Sequence, residues 1–175
     1  MYSYGFRIVT ARITNVKTTT TILVILTIGL ASLVLVTTTP AFAGTQIYSA
    51  QLSGDQEVPP VQTTDATGSA DFRIPLSAIS TPQAAIDYTV NGTGLENVVT
   101  AAHIHMGKMG ENGDIVVTLC KAETCSAGGG GSGGGTLSLT GTFNATNLEG
   151  PMAGKQIEDL ANEMTNGGTY VNVHT

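Results

Sequence analysis

Three histidines hold all the imidazole in this 175-residue chain: His103, His105 and His174. His103 and His105 are two apart in the alternating stretch Ala101–His105 (AAHIH), and on a strand both side chains leave the same face. Rings so placed can converge on one ion, and imidazole suits zinc, copper, iron or nickel. His174 stands in a second strand-like stretch, Tyr170–His174 (YVNVH), and supplies a third ligand if the two strands are neighbours. Copper or zinc is the ion expected of such a set. The other reading is a structural cluster whose rings hydrogen-bond to backbone carbonyls. Ile104 and Val173 point away from the histidines and anchor their strands in either case.

The remaining chemistry-bearing residues are few. Cys120 and Cys125 are the only cysteines, separated by Lys-Ala-Glu-Thr. In an oxidising compartment such a pair closes a short disulfide loop, and without a second pair at zinc-ligand spacing it makes a poor metal site. Asp55 and Glu57 flank Gln56 ahead of Pro59-Pro60 and would share a face on an extended segment. Two carboxylates fall well short of the six to eight oxygens that calcium takes. Asn91-Gly-Thr and Asn144-Ala-Thr fit the glycosylation sequon. No Gly-x-Ser-x-Gly elbow is present, and paired cysteines leave no thiolate for a histidine to activate. The run Gly128–Gly135 (GGGGSGGG) lacks the Lys-Ser/Thr of a phosphate-binding loop and reads as a flexible connection between strands. No catalytic set emerges, so the chain is expected not to be an enzyme.

Charge divides the chain in two. Residues 1–43 hold Arg7, Arg12 and Lys17 and no acid, whereas all 13 acidic residues follow, with only Arg73, Lys108, Lys121 and Lys155 as cations. An acidic body with so few cations cannot neutralise a phosphate backbone, which excludes nucleic acid as a partner. Behind the basic flank, Ile22–Val36 (ILVILTIGLASLVLV) is an apolar run of signal-peptide length. Pro40 then stops a helix, and Ala41-x-Ala43 offers the small side chains a signal peptidase accepts. The expected boundary lies between Ala43 and Gly44: a signal peptide over 1–43, or an uncleaved membrane anchor if the flanking threonines extend the helix, and a body over 44–175. The basic flank stays in the cytoplasm, so the body is expected outside the membrane, at the cell surface or beyond it.

Beyond Gly44 the dominant period is two. Gln46–Leu52, Ser69–Ile74, Ala85–Val90, Ala101–His105, Ile115–Leu119, Thr136–Phe143 and Tyr170–His174 are strand-length, with turn chemistry at Val58-Pro59-Pro60, Asn91-Gly92, Asn112-Gly113 and Asn166-Gly167-Gly168. Short strands with regular turns predict an antiparallel all-β sandwich or barrel. One segment breaks the pattern. In Lys155–Met164, Ile157, Leu160, Ala161 and Met164 fall on one helical stripe, which predicts a single short helix capping the sandwich.

Laid out in order, several phrases resemble the CHRD domain of the chordin family. They are Leu52-Ser-Gly-Asp-Gln-Glu-Val-Pro-Pro-Val61, Thr67-Gly-Ser-Ala-Asp-Phe72, Ala101-Ala-His-Ile-His105 with Gly107 and Asn112-Gly113, and Tyr170-Val-Asn-Val-His-Thr175. The resemblance covers residues 46–175 and implies an exported β-sandwich of immunoglobulin-like or superoxide-dismutase-like form, in which the domain also occurs in exported microbial proteins. Family members continue past Val-His-Thr with a Pro-x-Gly-Glu-Ile-Arg-Gly type segment that forms a last strand. This chain stops at Thr175, so the resemblance implies a body lacking that strand, with unpaired backbone that invites pairing with another chain.

The His-x-His pair with a third strand-borne histidine also resembles the copper ligand set of copper-zinc superoxide dismutases. Dismutase chemistry is not expected. No further histidine bridges two metals, and the body has few cations to guide an anion, Lys108 being the one close in sequence to His105. The expected function is a non-catalytic extracellular or cell-envelope interaction module that meets a protein or a surface polymer and touches membrane only through its N-terminal segment. The alternative is a small copper- or zinc-binding protein built on His103, His105 and His174.

Overall fold

The computed structural model describes residues 3–15, 44–60, 64–108, 110–127 and 135–175. The apolar run Ile22–Val36, Ala43 of the expected cleavage site and most of the glycine run lie outside them. Among the described residues, no helix is long and apolar enough to cross a membrane.

Eight strands form: β1 (Ser3–Asn15), β2 (Gly44–Ser53), β3 (Thr67–Pro75), β4 (Ala85–Leu95), β5 (Ala101–Met106), β6 (Ile115–Lys121), β7 (Gly135–Asn144) and β8 (Thr169–His174). Every pairing is antiparallel, in the order β6-β5-β8-β1-β2-β3-β4-β7. The period-two alternation does what the sequence predicts. Tyr48, Ala50 and Leu52 of β2, Ala70, Phe72 and Ile74 of β3, and Ile86, Tyr88 and Val90 of β4 all turn into the core. Ala102 and Ile104 of β5 and Val171 and Val173 of β8 bury the opposing face.

The continuous sheet folds over into two facing layers, β2-β3-β4-β7 and β6-β5-β8, joined through β1. Tyr88 spans them: its hydroxyl donates to the Leu119 carbonyl at 2.8 Å. Its ring has room because Gly141, opposite it on β7, has no side chain; a Cβ there would meet the Tyr88 hydroxyl at 2.5 Å. Phe72 packs on the same ring with centroids 6.5 Å apart, and Phe143 on its far side at 6.1 Å.

The expected helix is α2 (Ile157–Thr165); α1 (Ala122–Ala127) is a shorter one that the sequence reading did not anticipate. In α2 the stripe Ile157, Leu160, Ala161 and Met164 is buried as the spacing requires. Asp159 accepts from the Gln156 backbone N–H at 2.8 Å and starts the helix. Tyr48 then donates to the Ala161 carbonyl at 2.9 Å, fixing α2 to β2. Cys120, at the end of β6, and Cys125, in α1, form the expected disulfide with Cα atoms 5.1 Å apart.

Two glycine signals have a different meaning from the one expected. Asn91-Gly92 is not a turn, because β4 runs on to Leu95. Gly92 pairs with Gly68, where a Cβ would lie 2.1 Å from the Asn91 carbonyl oxygen, so Gly68 lets the two backbones approach inside the sheet. Asn112-Gly113 does not close a two-residue hairpin either, since the β5–β6 connection spans 107–114. The least anticipated element is β1, which lies within the segment read as an export signal. It occupies the inner position between β2 and β8.

Candidate metal centre

The histidine face is built by parity and register. His103 and His105 leave β5 on the side opposite Ile104, and β8 pairs with β5 so that Asn172 faces His103 and His174 faces Ala101. His174 thus stands diagonally beside His103, on the same face. The β5–β6 register shifts twice, between Ala102 and His103 and between Ile104 and His105. Such bulges re-aim side chains, and here they flank both histidines.

The three rings meet. Centroids of His103 and His105 are 5.7 Å apart, and those of His103 and His174 are 5.2 Å apart. Each ring offers a nitrogen within 4.8 Å of the other two. Nitrogens about 2.1 Å from one ion in tetrahedral geometry lie roughly 3.4 Å apart, so the rings must close by as much as about 1.4 Å to share an ion.

The chemistry of each ring follows from its neighbours. His105 is 9% exposed, and its Nδ1 lies 2.8 Å from the Gly113 carbonyl oxygen. A carbonyl only accepts, so Nδ1 bears the proton and Nε2 presents its lone pair. That Nε2 is buried with no hydrogen-bond partner among the described residues, and so is Nδ1 of His103. Tyr170 holds the arrangement still: its ring stacks on His105 at 4.9 Å and 12°, and its hydroxyl accepts from the Gly113 N–H at 3.1 Å. One residue, Gly113, therefore fixes the His105 tautomer through its oxygen and Tyr170 through its nitrogen, the kind of outer support that orients metal-binding imidazoles.

All three rings are kept neutral. Burial pushes His103 down to about 4, helped by repulsion from His174 and His105, with Glu149 opposing and Lys121 adding slightly. Burial also lowers His105, against the Gly113 bond and Asp114, and lowers His174 together with His105. Neutral imidazole is the ligand form. Between pH 6.5 and about 4 the unfolded chain binds more protons at these positions than the folded one, so stability must rise with pH across that window and level off above it. Metal-free protein should therefore melt at progressively lower temperature as pH falls from 6.5 to 4. His103→Gln should flatten that slope relative to the parent in calorimetric scans; an unchanged slope would contradict the burial argument.

The other sequence-derived candidates lie apart from this cluster or do something else. Asp55 is on a single 3-10 turn, Gly54–Gln56, and accepts from the Ser53 hydroxyl, so Asp55 and Glu57 are not spaced along an extended strand. Asn91 and Asn144 are exposed; Asn144 caps the 3-10 turn Ala145–Asn147 by accepting from the Thr146 N–H at 2.9 Å. Lys108 is an exposed residue of the β5–β6 connection. Sequence reasoning missed Gly113, Tyr170 and Glu149. Glu149 accepts from Thr118 at 2.6 Å, on the β6 residue that pairs with His103. The proximity of Asn112-Gly113 and Tyr170 to the two histidine motifs was the available signal.

A family model described as the CHRD domain matches residues 48–175, which include every residue of the histidine face. No curated protein and no solved structure matches the chain.

Proposed function

This chain belongs to the CHRD domain family, and we propose that its body is an exported module that holds one copper or zinc ion on His103, His105 and His174. What supports this reading above all is the pair of buried ring nitrogens, Nε2 of His105 and Nδ1 of His103, that have no hydrogen-bond partner among the described residues inside a cluster of three imidazoles. A purely structural cluster would satisfy those atoms from the backbone, since an unpaired buried polar group costs about 1–3 kcal/mol. Nδ1 of His105 is satisfied that way, by the Gly113 carbonyl.

Three protein ligands leave a coordination position open, as in sites where a bound ion activates water or polarises a ligand. The residues themselves do less than an enzyme would need. Glu149 and Asp114 act electrostatically on the rings and favour a cation, while among the described residues Lys121 is the one cation named as acting on His103. The module is therefore read as non-catalytic. The basic flank and apolar run of residues 1–43 support a body outside the membrane.

Isothermal titration of dialysed protein with zinc, and separately with copper, tests the site. One ion should bind per chain. His103→Ala and His174→Ala should each weaken binding by at least about 100-fold, the upper end of what outer-support changes alone cause, with far-UV dichroism unchanged. A folded parent that binds neither ion overturns the reading.

A further inference from the structure

β1 lies in the middle of the sheet, yet residues 16–43, with the apolar run Ile22–Val36, separate it from its neighbour β2. Register places Asn15 directly opposite Gly44, and neighbouring strands are about 4.8 Å apart. A segment inserted across a bilayer instead puts its ends about 30 Å apart, on opposite sides. β1 seated in the sheet and Ile22–Val36 inserted as an export helix are therefore mutually exclusive states of one chain.

Register also says what the position between β2 and β8 selects. Leu52, Ala50 and Tyr48 of β2 and Val171 and Val173 of β8 are buried and face the core. The β1 residues opposite them are Tyr4 (Val173), Phe6 (Leu52 and Val171), Ile8 (Ala50) and Ala11 (Tyr48). All are apolar. Ser3, Gly5 and Arg7 fall opposite His174, Asn172 and Tyr170, on the face that carries the histidines, instead, and the irregularity between Ile8 and Thr10 restores the alternation before Ala11.

We propose that the space between β2 and β8 is a strand-recognition site for an extended polypeptide with apolar residues at alternate positions, that β1 is its intramolecular ligand, and that export of the body frees the site for a strand of a second polypeptide. The last clause rests on the exported reading above. Loss of residues 1–43 would leave facing rows of backbone donors and acceptors on both β2 and β8, edges that proteins rarely leave open and that added strands fill.

Two measurements on the full chain test this. Arg7→Cys combined with Gln51→Cys, positions directly opposite in the register, should form an intrachain disulfide on mild oxidation, and Arg7→Cys with Val98→Cys should not. Equal, negligible cross-linking overturns occupancy by β1. Ile8→Pro, which removes a ladder donor, should let the chain bind a synthetic peptide of residues 3–15 at least tenfold more tightly than the parent does. The same peptide with Phe6→Asp and Ile8→Asp should bind at least tenfold more weakly. If the Ile8→Pro chain is unfolded alone, the peptide should restore its far-UV sheet signal. Neither binding nor restoration overturns the recognition site. Zinc titration of the same samples reads the histidine site separately, and N-terminal sequencing of exported protein reads export, so each failure is distinguishable.

Discussion

Replacing Gly113 with alanine should lower the melting temperature by roughly 10 °C and weaken zinc binding by about 10- to 100-fold together. A Cβ at Gly113 would lie 1.5 Å from the Met106 carbonyl oxygen and 2.6 Å from its carbon. Both are backbone atoms, so no side chain can swing aside. The nearby bond from the Met106 N–H to the Asp114 carbonyl, 2.9 Å long, closes the β5–β6 connection and must stretch or break. Overpacking of this kind costs about 3 kcal/mol, and in a domain of this size each kcal/mol is worth roughly 2–4 °C. The same displacement carries away the acceptor for His105 and the donor for the Tyr170 hydroxyl. Losing outer support of that sort typically weakens metal binding by about 10- to 100-fold. Gly110→Ala is the control: it sits at φ +84° with open space around it, so it should cost about 1 kcal/mol of backbone strain and leave affinity alone. Scanning calorimetry and zinc titration of both variants make the comparison; equal effects would remove the special role of Gly113.

Phe72→Ala should be the most damaging substitution in the core, at about 3–5 kcal/mol. Phe72 has no exposed surface and pairs in register with Tyr48 on one side and Tyr88 on the other. Removing its ring deletes an aromatic contact with Tyr88 and opens a void beside the side chain whose hydroxyl reaches across the two layers to the Leu119 carbonyl. Urea unfolding should show the midpoint falling sharply, with Phe72→Leu losing less than about 1.5 kcal/mol because it nearly conserves volume. A loss below about 1 kcal/mol for the alanine variant would mean that the layers do not pack through this stripe.

Much of this architecture is legible in the chain itself. Alternation in Gln46–Leu52 or Ala85–Val90 and the single helical stripe at Ile157–Met164 report their own burial, because period and exposed face are local properties. His103 and His105 share a face for the same reason. The convergence of His174 is different. It depends on β8 pairing with β5 in one register, a long-range choice that no local spacing encodes. Glycine misleads for another reason: the same residue serves a turn or a close approach of two backbones, and only the neighbouring strand decides which. Gly113 proved to be the second kind, and at the Gly68–Gly92 pair it is Gly68 that leaves no room for a Cβ. β1 was hidden by its company. Arg7 and Arg12 beside an apolar run read as a basic flank, although Tyr4, Phe6 and Ile8 already alternate.

The pairing of β5 with β8 also sets an order of events. Everything from β6 to α2 must be made before His174 can reach the other two imidazoles, and closing so long a loop is entropically slow. During synthesis the nascent body carries only the His-x-His pair of imidazoles. The third imidazole joins them once β8 has paired with β5, so the proposed site should bind zinc weakly in any chain stopped before His174.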